Sequence, residues 1–104
     1  MTRRRKSPGL VTIYWRDIPA QVTATAPDGG TEKVLLPHRF QYAIDRAAAV
    51  AGLTDAHSYV EQWRRVHVPV DGDPQVAATS TAEALRVEYS PARLEELVTQ
   101  GGLA

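Results

Sequence analysis

The stretch Val11-Thr-Ile-Tyr-Trp-Arg-Asp-Ile-Pro-Ala-Gln-Val22 decides the fold class of this chain. Apolar and polar residues alternate over residues 10–16, which predicts a half-buried strand. Pro19 cannot donate a hydrogen bond to a sheet, so the chain is expected to turn or to reach a sheet edge there. Alternation resumes over residues 20–26 and predicts a second strand. The stretch therefore indicates two strands joined at a polar corner.

Turn residues and apolar spacing predict the remaining elements. The turn at residues 27–30, Pro-Asp-Gly-Gly, predicts a hairpin. Apolar residues spaced three and four apart, bounded by Pro and Gly, predict helices further along the chain. The predicted elements are a third strand at Thr31–Leu36, helices at Pro37–Ala51, Thr54–Arg65, Asp73–Tyr89 and Pro91–Gln100, and an extended connector at Val66–Asp73. This order predicts an α+β fold, a three-stranded antiparallel sheet packed by three to four helices.

The length of 104 residues fits one domain. We expect a disordered basic tail at 1–9, a single α+β domain at 10–100 and a flexible C-terminus at 101–104. The sequence has no cysteine, which excludes disulfides and cysteine-ligated metals. No apolar run approaches the ~20 residues of a membrane span, and no apolar core follows the basic run at 3–6 as in a secretory signal. A cytoplasmic location without membrane attachment is therefore expected.

The charge is unevenly distributed. Four of the twelve basic residues stand at positions 3–6, and the rest of the chain has eight basic residues against twelve acidic ones. An acidic body is a poor match for a phosphate backbone, so nucleic-acid binding is not expected from it. The basic tail could contact RNA or a membrane surface, but a solvated tail is the favoured interpretation.

The sequence contains no recognisable catalytic or metal-binding pattern. The histidines His38, His57 and His67 do not share a metal-ligand spacing, and no His-Glu-x-x-His motif is present. Gly29-Gly30 lacks the glycine spacing of a phosphate-binding loop. We therefore predict no catalytic residue, no metal and no cofactor, and enzymatic chemistry within this chain alone is disfavoured.

Two segments combine a tryptophan with arginine, and we call residues 15–17 the first Trp–Arg segment and residues 63–65 the second. Trp and Arg dominate interface hot spots, and the planar Arg fork holds carboxylates bidentately. The candidates for binding a partner or an anion are thus Trp15, Arg16, Asp17, Trp63, Arg64 and Arg65. The structural alternatives are that Asp17 caps backbone N–H groups in the corner, that Trp63 belongs to the core, and that the arginines at 64 and 65 complement a helix dipole.

The order strand, proline, helix, glycine, helix over Lys33–Arg65 is typical of a ribbon–helix–helix repressor. In such a protein alternate strand residues would contact bases, and here that face would include the apolar Leu35. The predicted hairpin would also prevent this strand from pairing with a second subunit. A nucleic-acid-binding regulator is therefore the alternative hypothesis.

Several motifs together resemble a small bacterial family described as virulence factor, over roughly residues 10–100. They are the segment Ile13-Tyr-Trp-Arg-Asp-Ile-Pro-Ala-Gln-Val22, then Arg39-Phe40, Ala43-Ile44-Asp45-Arg46-Ala47, Ala51-Gly52-Leu53, Tyr59 and Trp63-Arg64-Arg65. The first is the most specific. The resemblance implies no reaction and no catalytic residues; it implies at most an accessory subunit of a one-carbon or methyl-transfer enzyme system.

These observations favour a small accessory protein that acts by binding another protein. The alternatives are the nucleic-acid-binding regulator and an enzyme subunit of one-carbon metabolism. Self-association is compatible with each of them, because a three-stranded sheet leaves two edges to be covered.

Overall fold

Alternating sequence near the N-terminus forms the central strands of an antiparallel sheet in the computed structural model, which describes residues 9–26, 28–70 and 72–104. The elements in chain order are β1 Gly9–Trp15, β2 Ile18–Thr25, β3 Thr31–Leu35, α1 His38–Ala51, α2 Ala56–Val60, β4 Trp63–Pro69, α3 Pro74–Glu88 and α4 Pro91–Thr99. The strand order is β3-β2-β1-β4. The predicted α+β class is confirmed.

The sheet has four strands, so the predicted number of three was wrong. The segment predicted as a helix end and connector instead forms β4, which pairs with β1 from Gly9↔Pro69 to Trp15↔Trp63. The second helix is correspondingly short and ends at Val60. Because a strand follows this short helix and β3 already pairs with β2, the described part of the chain does not form a ribbon–helix–helix unit.

The corner between β1 and β2 is a two-residue turn at Arg16-Asp17, inside the polar stretch where the sequence predicts the two strands to be joined. Arg16 has a left-handed φ of 54°, which a tight hairpin turn requires. Pro19 lies inside β2, where the register with β1 shifts between Ile13 and Tyr14. A bulge of this kind tolerates proline because one residue is left out of the ladder.

Helix boundaries follow side-chain caps. Asp55, one residue after the predicted helix start at Thr54, caps α2 by accepting from the Ser58 N–H at 3.1 Å. Asp73 caps α3 and Ser90 caps α4 in the same way. These oxygens satisfy N–H groups that have no partner within a helix. The caps of α3 and α4 stand where the sequence predicts those helices to begin.

One face of the sheet is packed by helix α3, and we call it the helix-covered face. It is formed by Leu10, Thr12, Val22 and Ala24, all of which are buried. Small side chains on α3 allow the helix to approach the sheet closely, and α1 packs against α4 and β2. The buried helical residues are Phe40, Ala43, Ile44, Ala47, Ala48, Ala78, Ala82, Leu85, Leu94, Leu97 and Val98.

The opposite face of the sheet is largely uncovered, and we call it the open face. Because side chains alternate along a strand, it is formed by the residues between those of the core: Val11, Ile13, Gln21, Thr23, Lys33, Leu35, Arg65 and His67. All of them are partly or fully exposed. The predicted helix-packed sheet is thus packed mainly on one side.

The C-terminal residues 101–104, which we expected to be flexible, contact the turn between β1 and β2. Gly101 and Gly102 are buried, and the Asp17 N–H donates to the Gly102 carbonyl at 2.8 Å. Of the predicted tail at 1–9, only Gly9 lies within the described residues, and it begins β1. No helix in the described ranges is long and apolar enough to cross a membrane.

Candidate partner-binding surface

Trp15 of the first Trp–Arg segment belongs to the core. The side chain is wholly buried, and its indole N–H donates to the Tyr59 carbonyl at 2.8 Å. The Tyr59 ring stacks on it with ring centroids 5.5 Å apart. A partner cannot reach this tryptophan in the folded protein, so its candidacy as a contact residue is corrected to a structural role.

Arg16 uses its guanidinium within the protein. Its Nε donates to Gln62 Oε1 at 3.0 Å and its Nη1 donates to the Gly101 carbonyl at 3.2 Å. These bonds join the turn to the segment before β4 and to the C-terminal residues. The fork that the sequence suggested for a carboxylate ligand is therefore engaged by neutral protein oxygens.

Asp17 accepts hydrogen bonds from two distant parts of the chain. Its Oδ1 accepts from Arg64 Nη2 at 3.1 Å and its Oδ2 accepts from the Ala104 N–H at 2.7 Å. The structural alternative predicted that Asp17 would cap backbone N–H groups, and it does so for the C-terminal residue. The first segment is thus a structural corner that holds β4 and the C-terminus together.

The second Trp–Arg segment lies beside the first, because Trp63 is the sheet partner of Trp15. Trp63 is half-buried and meets the Tyr59 ring edge-to-face at 5.9 Å. Arg64 lies over the Tyr14 ring at 4.5 Å, and its Nε donates to the Arg16 carbonyl at 2.9 Å. Tyr14 has a raised pKa, chiefly because the phenol is partly buried, while the Arg64 charge acts in the opposite direction.

Arg65 differs from its neighbours. It is exposed on the open face, and within the described residues its side chain makes no ion pair or hydrogen bond. Of the six candidate residues, Trp63 and Arg65 are therefore the two that present side-chain surface on the open face. Arg64 is exposed on the helix-covered side, and the other three stabilise the corner.

A groove of about 460 Å³ runs across the open face beneath the start of α1. It is lined by residues from β1 to β4 and from α1, among them Ile13, Gln21, Leu35, His38, Gln41 and Trp63. Cavities of roughly 300–1,000 Å³ are typical of ligand-binding clefts. Sequence reasoning found only Trp63 among these residues, because the others come together through sheet pairing. The one available signal was the apolar Leu35 in a position that alternation would leave exposed.

A hydrogen-bonded cluster holds Gln41, one of the residues that line the groove. Gln41 Nε2 donates to Asp45 Oδ1 at 3.0 Å and to the Tyr59 hydroxyl at 3.2 Å. Burial raises the pKa of Tyr59, and the nearby Asp45 carboxylate raises it further. The hydroxyl is therefore protonated at neutral pH and donates to Asp45 Oδ1 at 3.4 Å. This cluster links Gln41 to the Tyr59 ring, which packs against both tryptophans.

The groove has a mixed apolar and polar lining. The lining combines Ile, Leu and Trp side chains with two glutamine amides and one imidazole. Within the described residues no group of three His, Asp or Glu side chains could hold a metal ion. The surface therefore offers apolar contact with a few hydrogen-bonding groups at its rim.

The fold and this surface define a small α+β protein with one helix-covered and one open sheet face. The chain belongs to the family described as virulence factor, whose model matches residues 13–98. The match begins in β1 and ends in α4, so it covers nearly the whole fold and confirms the resemblance. Neither the comparison with curated proteins nor that with solved structures found a match.

Proposed function

We propose that this chain is an accessory protein that acts by binding another protein at the groove on its open face. The observation that carries the proposal is the groove itself, about 460 Å³ across all four strands. It is bordered by Leu35, whose side chain is 70 % exposed, and by the half-buried Trp63. An apolar cleft with an aromatic wall is the typical receptor for an anchor side chain of a partner.

The energetics favour occupation of this surface. Apolar surface removed from water contributes about 25 cal/mol per Å², and several partly exposed apolar side chains meet at the groove. Gln41, which lines the groove, is held in place by hydrogen bonds to Asp45 and Tyr59. A lining side chain that is already held in place lowers the ordering cost of association.

We propose that the partner is an enzyme of one-carbon or methyl-transfer metabolism and that the complex forms in the cytoplasm. The first part rests only on the resemblance of the motifs, and the second on the absence of cysteine from the sequence. A nucleic-acid-binding regulator is not the function we propose, since the described residues do not form the ribbon–helix–helix unit that suggested it.

The test is to purify the tagged protein from its source cell under native conditions and to measure the mass of the eluted species by light scattering. We expect a stoichiometric complex with a partner identified by mass spectrometry. Leu35→Glu places a charge at the groove and should abolish the complex without unfolding the protein, because this side chain is largely exposed.

Val87→Glu is the matched control, because Val87 is 65 % exposed and lies on α3, on the other side of the sheet. It should keep the partner. Circular dichroism establishes that both variants are folded. Recovery of the chain alone, or equal recovery of the partner with Leu35→Glu, would contradict the proposal.

A further inference from the structure

Strand β4 forms one edge of the sheet, and the alternation of its hydrogen bonds shows which backbone groups face outward. The Arg16 N–H donates to the Gln62 carbonyl at 3.1 Å, just beyond the pair Trp15↔Trp63. Because hydrogen-bonded and non-hydrogen-bonded pairs alternate in an antiparallel ladder, Arg64, Val66 and Val68 bond to β1. Arg65 and His67 therefore direct their N–H and C=O groups away from the sheet.

The two faces of β4 differ in chemistry. Arg65 and His67 lie on the open face and are exposed. Val66 and Val68 lie on the helix-covered side, where 36 % and 48 % of their surface remains exposed. The strand thus presents a basic face, an apolar face and a row of free backbone groups. Such an edge is a template for a further strand.

The other edge of the sheet, β3, is a weaker template for a charged segment. It has five residues against seven in β4. It carries Glu32 and Lys33 next to each other, so their opposite charges offset one another. The Leu36 N–H donates to the Ala20 carbonyl at 3.4 Å, which shows which residue pairs of β2 and β3 are hydrogen-bonded. Because such pairs alternate along the strand, the N–H and C=O groups of Lys33 face away from the sheet.

We propose that β4 binds, by strand addition, an extended segment of the partner protein in which acidic and apolar residues alternate. The inference rests on the proposed function, since it names the chemistry of the segment that the partner contributes. The acidic side chains meet Arg65 and His67 on the open face, next to the groove, and the apolar ones cover Val66 and Val68. Opposite charges directly across two strands stabilise the pairing.

A second copy of this chain does not satisfy the same edge. Residues that hydrogen-bond across an antiparallel pair must both face outward, so two β4 strands pair through Arg65 and His67. The two-fold registers that overlap over most of β4 place Arg65 opposite His67, Arg65 opposite Arg65, or His67 opposite His67. Each of them sets basic side chains against each other, which destabilises a homodimer.

The probe is a synthetic peptide of alternating Glu and Val residues with blocked ends, titrated into ¹⁵N-labelled protein and followed by NMR. We expect shifts and hydrogen-exchange protection at the Arg65 and His67 amides and little change along β3. A peptide of alternating Lys and Val should bind at least roughly tenfold more weakly than the Glu peptide. A tenfold change in affinity corresponds to ~1.4 kcal/mol.

Two variants separate charge from backbone pairing. Arg65→Glu should weaken binding of the acidic peptide and strengthen binding of the lysine peptide. His67→Pro removes an outward N–H without removing a hydrogen bond to β1, so it should weaken binding of the acidic peptide roughly tenfold. Lys33→Pro makes the same change on β3 and should have no effect.

Equal binding of both peptides, shifts at β3 rather than β4, or a homodimer formed through β4 would overturn the inference. Leu35→Glu keeps these outcomes distinct from those of the proposed function, because it alters the groove and leaves β4 intact. Suppose that Leu35→Glu loses the cellular partner and that neither peptide binds the native protein. The groove proposal then stands, and strand addition at β4 is ruled out.

Discussion

The two Trp–Arg segments have similar composition and lie side by side in the sheet, yet they have different surroundings. Trp15 is wholly buried, and Arg16 and Asp17 bond to the C-terminal residues. Trp63 is only half-buried and Arg65 is exposed. The first segment ends β1, which has a neighbour on both sides, whereas the second begins β4, which has one. Position in the sheet, rather than residue type, decides which segment is structural and which presents a surface.

The largest expected difference between the segments is in the free energy of unfolding of their tryptophan variants. Trp15→Ala should lower it by about 3–5 kcal/mol, because it leaves a cavity and removes the hydrogen bond to Tyr59. Trp63→Ala should lower it by about 1–2 kcal/mol, because that side chain is only partly buried in the native protein. Urea unfolding followed by circular dichroism measures both.

A loss of about 5 kcal/mol is comparable to the total stability of many domains of this size, so Trp15→Ala could fail to fold. Trp15→Phe then serves as the second variant, because it retains an aromatic ring and loses only part of the volume. Equal losses in the free energy of unfolding for the Trp15 and Trp63 variants would mean that the two tryptophans contribute equally to stability, against the contrast between the two segments.

The next largest effect concerns the contact between the first segment and the C-terminus. Gly102 has a φ of 92°, and a Cβ added there would lie 3.0 Å from the Trp15 ring. Gly102→Ala should therefore lower the free energy of unfolding by about 2–4 kcal/mol, from backbone strain and overpacking together. Thermal unfolding of the variant measures this loss.

Gly72 is the matched control, because its φ is 95° and an added Cβ would have no heavy atom of the described residues within 4 Å, its chain neighbours aside. Gly72→Ala carries the backbone strain alone, about 1–2 kcal/mol. If the two alanine variants lose the same stability, the packing of Gly102 against Trp15 contributes nothing.

The sequence is sufficient to predict the first two strands, the hairpin that follows and the helices α1, α3 and α4, because local periodicity and capping residues define them. It does not reveal β4. The pairing partner of β4, which is β1, lies about fifty residues earlier in the chain. In addition, β4 ends with Pro69, and Gly72 follows shortly after it. When the pairing with β1 is not known, the local sequence Trp63-Arg64-Arg65 is equally compatible with the end of a helix and with the start of a strand.

The candidate surface was predictable only in part, for the same reason. Trp63 and Arg65 were identified by residue type, and Leu35 was noticed only as an unsuitable base-reading residue. The groove needs Ile13, Leu35 and Trp63 on one face, and their alignment follows from the registers of three strand pairs. A shift of one residue in any strand would turn its side chains to the other face.

A smaller effect should separate the two arginines of the second segment. Arg64→Ala removes the bonds to the Arg16 carbonyl and Asp17 and the contact with the Tyr14 ring. We expect it to lower the free energy of unfolding by about 1 kcal/mol, since exposed ion pairs and cation–π contacts each contribute roughly 0.5–1 kcal/mol.

Arg65→Ala is the matched control and should change the free energy of unfolding by less than about 0.5 kcal/mol, as exposed substitutions usually do. Urea unfolding at low and high salt compares the two variants. The Arg64 effect should shrink in high salt because the ion pair is screened. An Arg65 effect as large as that of Arg64 would show that Arg65 has a structural role.

The smallest expected effect is a titration shift at Tyr14, where the two segments meet. Burial is the main reason that the pKa of Tyr14 is raised above 10.0, and the Arg64 charge partly offsets it. Removing that charge should raise the pKa further, so Arg64→Ala should move the alkaline titration of the Tyr14 ring to higher pH, whereas Arg65→Ala should leave it in place. NMR of the tyrosine ring carbons follows it directly.

The raised pKa of Tyr14 also determines how the stability of the protein changes with pH. A tyrosine whose pKa is higher in the folded than in the unfolded state stabilises the fold below pH 10, and this contribution is lost as the pH rises through the folded value. The stability of the native protein should therefore fall above pH 10, and Tyr14→Phe should make that fall shallower. A shift of equal size with Arg65→Ala would mean that both arginines act on Tyr14, and the contrast between a structural Arg64 and an available Arg65 would fail.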